Sequence, residues 1–238
     1  MKPFLTAEWR YLAMLNFAVD PKILQPLVPI NTELDFHEGR TFLSVVGFLF
    51  LDTRVIGLPI PLHRDFEEVN LRFYVRRKNA NEWRRGVVFV RELVPRAAIA
   101  FIARTFYGEP YSALPMRHVL EYKEGLVFAQ YQWRRGRRWE TLAMTASGEP
   151  QGAADGSHEE FITEHYWGYT ARRDGCSEYR VEHPRWRLWT AETTKFEADV
   201  ATLYGSQFVE TLAAAPVSGF IAEGSHIQVY QRNREPEI

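Results

Sequence analysis

Lysine is scarce in this chain, where it supplies only five of the 29 basic residues and where no two lysines are adjacent. The five are Lys2, Lys22, Lys78, Lys123 and Lys195. Because Schiff-base catalysis needs a lysine amine, the sequence offers few candidates for it. The single cysteine, Cys176, cannot form an internal disulfide, and its setting in "RRDGCSEY" indicates a surface turn rather than an activated thiol.

Several short motifs that mark enzyme classes are also absent from the sequence. None of the seven histidines forms an H-x-H, H-x-x-H or H-E-x-x-H pair, so we expect no metal site, although one assembled from distant residues stays open. There is no G-x-S-x-G elbow, no G-x-x-x-x-G-K-[ST] loop and no G-x-G-x-x-G after a strand. Hydrolase, nucleotide and dinucleotide functions therefore lose their usual motifs, and we expect no cofactor.

Long apolar runs and a strong net charge are missing as well. The start, "MKPFLTAEWRYLAML", lacks the apolar core of a signal peptide, and no run is long enough to span a bilayer. A net charge of -1 creates no field that would gather nucleic acid or an anionic membrane. We therefore expect a cytoplasmic protein with a small-molecule or protein partner, and neither a nucleic acid nor a membrane; a homo-oligomer stays open.

One arginine-rich segment has two interpretations. "RRGRRW", Arg134 to Trp139, mixes arginine with an aromatic residue, as nucleic-acid binders do. Because Gly136 lies at its centre, we favour a charged hairpin tip. The length of 238 residues, without repeats or long linkers, predicts a single domain over 1–238.

The segments that remain are dominated by strand patterns. "RTFLSVVGFLFLD" (Arg40 to Asp52) is apolar almost without alternation, which predicts a central strand. "DFEEVNLRFYVRR" (Asp65 to Arg77) alternates, and the turn "NANE" joins it to "GVVFVRELV" in a hairpin. A strand meander follows, in "RHVLEYKEG", "LVFAQYQWRRG" and "RRWETLAMTASG". The pattern predicts an α+β fold dominated by an antiparallel sheet of roughly ten strands, a size at which sheets tend to curl or close.

Three segments are typical of helices. "DPKILQPLVP" is a short helix with Asp20 as its N-cap. "PRAAIAFIARTFYG" begins at a proline, is apolar in its middle and ends at a glycine, which indicates a buried helix. "SHEEFITEHYWGY" starts with the spacing of a capping box at Ser157 and Glu160. We expect this last helix to carry one stripe, made of Phe161, His165 and Tyr169.

The alternating strand has one apolar face and one polar face. Val69, Leu71 and Phe73 share the first, whereas Glu68, Asn70 and Arg72 form a ladder on the second. A carboxylate and a guanidinium on one face could bind or polarise a small polar substrate. The alternative is a solvent-exposed face with a modest ion pair.

The next strand carries a charge on an apolar face. Arg91 is predicted to share that face with Val87, Phe89 and Leu93, because these residues stand at alternate positions. A charge in such a setting needs a partner.

The order of these segments resembles the acetoacetate-decarboxylase-like superfamily, and within it the branch called domain of unknown function 2071. The resemblance is carried by "FEEVNLRFYV", the hairpin, "VPRAAIAFIARTFYGEPYSALP" and the meander. It extends over nearly the whole chain, because "WRYLAMLNFAVDPKILQPLVP", "LDFHEGRTFLSVVGF" and "YRVEHPRWRLW" are similar to that branch too. It implies a closed or cone-shaped antiparallel β-barrel with an internal pocket and a few flanking helices.

In decarboxylases of this superfamily, the turn after the buried helix reads approximately R-E-x-x-G-x-P-K-K, and its first lysine forms the Schiff base; their activated lysine is a known example of such chemistry. Here Arg104, Gly108 and Pro110 fit that frame, whereas Tyr111 and Ser112 stand where the two lysines would be. Neither can form an imine, so the resemblance argues for the fold and against decarboxylase activity.

The resemblance also implies that Glu68 corresponds to a pocket glutamate of the family, and it makes Glu68 and Tyr111 the candidate catalytic residues. The candidate ligand-binding residues are Asn70, Arg72, Arg91, Arg104 and Ser112. Three hypotheses follow. The chain binds a small carboxylate or carbonyl compound; or it is a lysine-independent enzyme for enolisation, isomerisation or hydration; or it is an interaction protein with a filled barrel.

Overall fold

The computed structural model of the chain describes residues 2–60, 63–79, 82–97, 110–172, 175–231 and 233–236. Most of these residues lie in strands, in agreement with the strand-dominated fold that the sequence predicts. The strands are β1 (Leu5–Val19), β2 (Glu33–Leu34), β3 (Thr41–Val55), β4 (Leu58–Pro59), β5 (Phe66–Asn79), β6 (Glu82–Val94), β7 (Tyr111–Ala113), β8 (Met116–Lys123), β9 (Leu126–Arg135), β10 (Arg138–Ser147), β11 (Gln151–Gly152), β12 (Trp167–Arg172), β13 (Gly175–Glu182), β14 (Arg187–Thr190), β15 (Thr193–Glu197), β16 (Ser218–Val229) and β17 (Asn233–Pro236).

The described helices are short. They are α1 (Pro21–Leu24), α2 (His158–Thr163), α3 (Val200–Leu203) and α4 (Val209–Ala213), and 3-10 turns lie at Gln25–Leu27 and Ser206–Phe208. In the part of the chain that the structure describes, no helix has the length and apolar character needed to cross a membrane. The helix predicted for "PRAAIAFIARTFYG" falls mainly on residues 98–109, which lie outside the described residues.

The strands form two sheets. The larger has 13 strands, and its main path runs β11-β14-β16-β1-β3-β5-β6-β12-β13-β17, with a further pairing of β13 to β16 at Val181 and Val229. The smaller sheet has four strands in the order β15-β10-β9-β8. The larger sheet is the dominant one that the sequence predicts, but it has more than the roughly ten strands expected, and β6 pairs in parallel with β7 and β12. The predicted meander β8-β9-β10 exists, but it forms a sheet of its own, because its apolar side packs on one face of the larger sheet.

The centre of the larger sheet follows the sequence closely. β3 lies between β1 and β5, and its Val45 and Val46, which point to opposite faces, are both fully buried. The predicted hairpin is confirmed, since β5 pairs with β6 up to Asn79 opposite Glu82. A continuous apolar run thus indicates a strand that is covered on both sides.

The two sheets approach closely at one glycine. A Cβ atom on Gly47, in β3, would lie 2.6 Å from Cδ2 of Tyr131 on β9. Leu71, Phe73 and Trp133 belong to the same core cluster between the sheets. The absence of a side chain at Gly47 therefore permits the fit of the Tyr131 ring against the larger sheet.

The N-cap predictions are confirmed, but the third predicted helix is shorter than expected. Asp20 accepts a hydrogen bond from the amide of Lys22 at 2.9 Å, and Ser157 accepts one from the amide of Glu160 at 3.1 Å. The helix that begins at Ser157 ends at Thr163, however, so His165 follows it and Tyr169 lies in β12. Pairing of β12 with β6 and β13 overrides the helical pattern there.

The predicted hairpin tip in the arginine-rich segment is confirmed, whereas the predicted surface turn at Cys176 is wrong. The arginine-rich segment is a hairpin tip, with Arg135 opposite Arg138 across a turn at Gly136. Cys176 is not in a surface turn; it lies in β13 and is buried.

Candidate functional site

A cavity of about 170 Å³ lies against the face of the larger sheet that the small sheet does not cover. Part of its polar lining comes from β5, β6 and β7, which supply Glu68, Asn70, Arg72, Glu92 and Tyr111. Much of the remaining wall is aromatic, with Trp9, Phe48, Phe50, Phe66, Phe89 and Trp186. The polar face of β5 that the sequence predicts is thus directed into a cavity.

Strand pairing brings the polar residues of three strands to the same face. Glu92 is directly opposite Asn70 in the antiparallel pair of β6 with β5, and Tyr111 is opposite Glu92 in the parallel pair of β7 with β6. Directly opposed residues point to the same side of a sheet. Glu92 and Tyr111 therefore join the ladder of β5, although they are distant in sequence.

The predicted face of Arg91 is wrong because β6 has a bulge. Leu71 is opposite Arg91 and Arg72 is opposite Phe89, so Val90 has no partner in the ladder. One extra residue reverses the alternation beyond it. Phe89 therefore faces the cavity, whereas Arg91 faces the other side.

Ser112 lies with Arg91 on that other side of the sheet. The Arg91 guanidinium donates a hydrogen bond to Ser112 Oγ at 3.2 Å, and neither residue lines the cavity. Of the predicted site residues, the structure therefore brings Glu68, Asn70, Arg72 and Tyr111 together at the cavity, but not Arg91 or Ser112. Arg104 lies outside the described residues.

Glu68 is a buried carboxyl group of the cavity whose pKa is shifted. It is only 3% exposed; its Oε1 accepts from Asn70 Nδ2 at 3.0 Å and its Oε2 from the Tyr111 hydroxyl at 3.1 Å. Burial raises the pKa of Glu68 to about 7, although these two hydrogen bonds and the charge of Arg72 act in the opposite direction. Near neutral pH the carboxyl group therefore exists in both protonation states, as a proton-transferring group requires.

Arg72 supplies positive charge to the cavity. Its Nε has no hydrogen-bond acceptor among the described residues. Its terminal nitrogen donates to the carbonyl oxygen of Ile162 at a long 3.4 Å. A partly exposed guanidinium with so few acceptors is suited to bind an anionic or carbonyl oxygen.

Three histidines that sequence reasoning did not place in the site, His63, His165 and His183, also line the cavity. Burial lowers the pKa of His165 to about 4, against the opposing effect of its 3.3 Å contact with Asp35, and burial also lowers the pKa of His183. Burial disfavours ionisation of Asp35, but hydrogen bonds from His165 and Arg85 hold its pKa below the usual value. The rings of His165 and His183 are therefore neutral at pH 7. Arg72 is the permanent cation among the described lining residues, none of which is lysine.

No metal centre is evident in the described part of the chain, where no three His, Cys, Asp or Glu side chains are grouped as ligands. The cavity wall formed by β5, β6 and β7 offers two carboxyl groups, one guanidinium, an amide and a phenol.

The family model for domain of unknown function 2071 (DUF2071), described as an uncharacterized conserved protein, matches residues 6–226. The chain belongs to this family. The uncharacterized protein YqjF of Bacillus subtilis (strain 168) is 29% identical to this DUF2071 protein over 187 residues, which cover 77% of the chain and 74% of YqjF. The family resemblance stated from the sequence is therefore confirmed.

Solved structures with a similar fold include an acetoacetate-decarboxylase-like enzyme and an enduracididine biosynthesis enzyme. One from Sphingomonas wittichii RW1 has a TM-score of 0.66 and 13% identity, with 100% of this chain and 95% of that chain covered. The enduracididine biosynthesis enzyme MppR, complexed with pyruvate, has a TM-score of 0.66 and 14% identity, with 98% and 91% covered. At these identities the likeness establishes the fold of the DUF2071 protein alone.

Proposed function

We propose that the cavity of this DUF2071 protein binds a small carboxylate or carbonyl compound without forming a Schiff base. The observation that carries the proposal is the convergence of Glu68, Asn70, Arg72 and Tyr111 on one cavity wall. Tyr111 and Ser112, which stand where the sequence resemblance expects the lysines, have no amine to form an imine. We also propose that β16, β1, β3, β5, β6, β12 and β13, linked by successive pairings, form the cone-shaped barrel of the superfamily.

The charges of the wall indicate how such a ligand would be held. Arg72 would donate to the carboxylate or carbonyl oxygen, as guanidinium groups do with planar oxygen pairs. A bound anion would also favour the protonated form of Glu68, because two negative charges in one cavity repel each other. The ligand should therefore bind more tightly below pH 7 than above it.

The presence of the cavity argues against a barrel filled by its own side chains. Tyr111 is only partly buried and lines the open space, rather than being enclosed by the core. An interaction protein with a solid interior is therefore the least supported of the three hypotheses.

Calorimetric titration of the folded protein with pyruvate and acetoacetate tests the proposed binding. We expect Arg72→Gln to weaken binding at least tenfold, because a charge-assisted hydrogen bond is worth about 1.5 to 3 kcal/mol. Arg76→Gln is the matched control, since Arg76 lies on the same strand but pairs with Glu33 at the exposed surface. Binding that is equal in both variants, or a keto-acid adduct trapped on a lysine by borohydride, would contradict the proposal.

A second candidate function, a lysine-independent enolisation, is favoured by the pKa of Glu68 near 7. The ionised carboxylate would take a proton from the carbon next to the ligand carbonyl, and the electron pair of the C–H bond would move onto the carbonyl oxygen. Arg72 would stabilise that oxygen, with Tyr111 as the proton donor to it. The enol would then regain a proton at carbon from the carboxyl group of Glu68, which is protonated at that stage, and its O–H proton would return to the Tyr111 oxygen.

Exchange of the ligand's α-protons for deuterium, followed by NMR, tests this reaction. We expect Glu68→Gln to slow exchange at least about 100-fold, the usual contribution of a general base. Glu67→Gln is the matched control, because the neighbouring carboxylate pairs with His118 and does not line the cavity. Catalysed exchange that persists in Glu68→Gln would exclude Glu68 as the base.

A further inference from the structure

The aromatic part of the cavity bears on the class of compound that the polar wall would bind. A cavity of about 170 Å³ has room for on the order of ten water-sized groups. A three-carbon keto acid would fill about half of that space. A ligand that fills the rest of the cavity therefore carries a further group. The side chains around that part of the cavity determine which chemistry this group has.

The aromatic wall begins next to the polar residues. Phe48 is directly opposite Glu68 in the pair of β3 with β5, and Phe89 is directly opposite Arg72 in the pair of β6 with β5. Directly opposed side chains lie side by side on one face of a sheet. If the oxygen atoms of a ligand contact Glu68 and Arg72, the carbon atoms bonded to the head group therefore lie near the phenyl rings of Phe48 and Phe89.

From Phe48 the aromatic surface continues away from the polar wall. The Trp9 ring meets Phe48 edge-on, with centroids 5.2 Å apart, and Phe50 in the same way at 5.6 Å. Trp186 lies beyond Trp9 at 6.4 Å and is fixed by a 2.9 Å hydrogen bond from its Nε1 to Ser225 Oγ. The rings are thus held in place before any ligand binds, which lowers the entropic cost of binding.

We infer that this cavity selects a keto acid, or a related carbonyl carboxylate, that carries an aryl or similarly bulky apolar substituent, and that Trp9 is its specificity-determining residue. The inference rests on the proposed function, because the polar wall must hold the head group. The substituent lies against Phe48, Phe89 and Trp9, where offset or edge-to-face ring contacts are available. A charged or strongly polar substituent is disfavoured there, since it would lose its hydration without gaining partners.

Pyruvate and phenylpyruvate are the matched pair of probes, because they share a head group and differ only by the phenyl ring. Isothermal titration calorimetry should give phenylpyruvate at least about a tenfold lower Kd, since burial of an aryl group is worth that much or more. Trp9→Leu should reduce the ratio of the pyruvate Kd to the phenylpyruvate Kd about fivefold.

Trp83→Leu is the control for the same change elsewhere, since Trp83 is 46% exposed and lies outside the cavity lining. Phe89→Leu is a second variant at the partly exposed cavity wall, to be used with Trp9→Leu after circular dichroism has shown that each is folded. Arg72→Gln should weaken both ligands by the same factor.

The outcomes separate the two proposals. If both ligands bind and require Arg72, but with equal Kd, or if the advantage of phenylpyruvate survives both Trp9→Leu and Phe89→Leu, the aryl specificity is wrong and the proposed binding function stands. If neither ligand binds, or if binding does not depend on Arg72, the proposed function fails and the specificity fails with it.

Discussion

The two faces of β5 have opposite roles although their residues alternate along one strand. Leu71 is fully buried against the small sheet, whereas its neighbour Arg72 points into the cavity. On the first face the side chains are apolar and tightly packed, as at Gly47 and Tyr131. On the second, Glu68 is kept in a setting that opposes its ionisation. The face toward the small sheet is therefore packed core, whereas the other face combines packed residues with the cavity wall.

The largest change in the free energy of unfolding should come from a substitution on the face of β5 that packs against the small sheet. Leu71→Ala is expected to lower the free energy of unfolding by about 4 kcal/mol, because a buried leucine leaves a cavity that its neighbours fill only in part. The Kd of any ligand of the cavity should not change. Urea denaturation and calorimetric titration measure the two quantities, and Arg72→Gln should give the opposite pattern, with a small stability change and a large loss of binding.

On the cavity face, the pH dependence of stability reports on Glu68. Because its native pKa of about 7 lies above the ordinary value of 4.5, the folded protein holds this proton longer than the unfolded chain as pH rises. Glu68 should therefore lower the free energy of unfolding progressively from pH 4.5 to pH 7, by on the order of 3 kcal/mol in all. Glu68→Gln should lack this contribution, which urea denaturation across that range would detect.

A comparison with Glu67→Gln sharpens the test of Glu68. Burial opposes ionisation of Glu67 too, but its contact with His118 holds its pKa below the usual value. Its contribution should therefore have the reverse sign and be lost on acidification. If Glu68→Gln and Glu67→Gln changed the pH dependence of the free energy of unfolding in the same way, the two carboxyl groups would not differ as the two faces of β5 require.

His165 should also make the free energy of unfolding depend on pH, but in the direction opposite to Glu68. Its native pKa of about 4 lies below the ordinary 6.5, so the unfolded chain binds the proton first as pH falls. Stability from neutral His165 should be fully present above pH 6.5 and be lost between pH 6.5 and pH 4, again by on the order of 3 kcal/mol. His165→Gln should flatten that part of the profile. An unchanged slope would mean that the ring is charged in the fold.

The smallest effects should distinguish two adjacent residues of β7. Tyr111→Phe removes the hydroxyl that donates to Glu68, so the pKa of Glu68 should rise above 7. Ser112→Ala should leave that pKa unchanged, because Ser112 lies on the other face with Arg91. NMR titration of the Glu68 side-chain carbon would measure both. A shift of equal size in the two variants would contradict the assignment of faces.

Much of the polar wall could be predicted from the sequence because alternation in a regular strand fixes which residues share a face. That rule correctly grouped Glu68, Asn70 and Arg72. It failed for Arg91, since no glycine or proline marks the bulge at Val90. It also missed Glu92, which joins the wall only because the same bulge reverses the alternation.

The other omissions have a different physical origin. The contact of His165 with Asp35 joins residues 130 positions apart, so no local pattern indicates it. The separation of β8 to β10 into a second sheet depends on which side of the meander packs on β3 and β5. Burial, which sets the pKa values of Glu68 and His165, is likewise a property of the assembled fold rather than of the segments.

The central claim is that the Glu68, Asn70 and Arg72 face of the larger sheet is a binding wall. A crystal structure of the protein with phenylpyruvate tests it most directly. The account predicts the ligand's carboxylate or carbonyl oxygen within hydrogen-bonding distance of the Arg72 guanidinium, with the phenyl ring against Trp9. Ligand density elsewhere on the protein, with only solvent in the cavity, would contradict it.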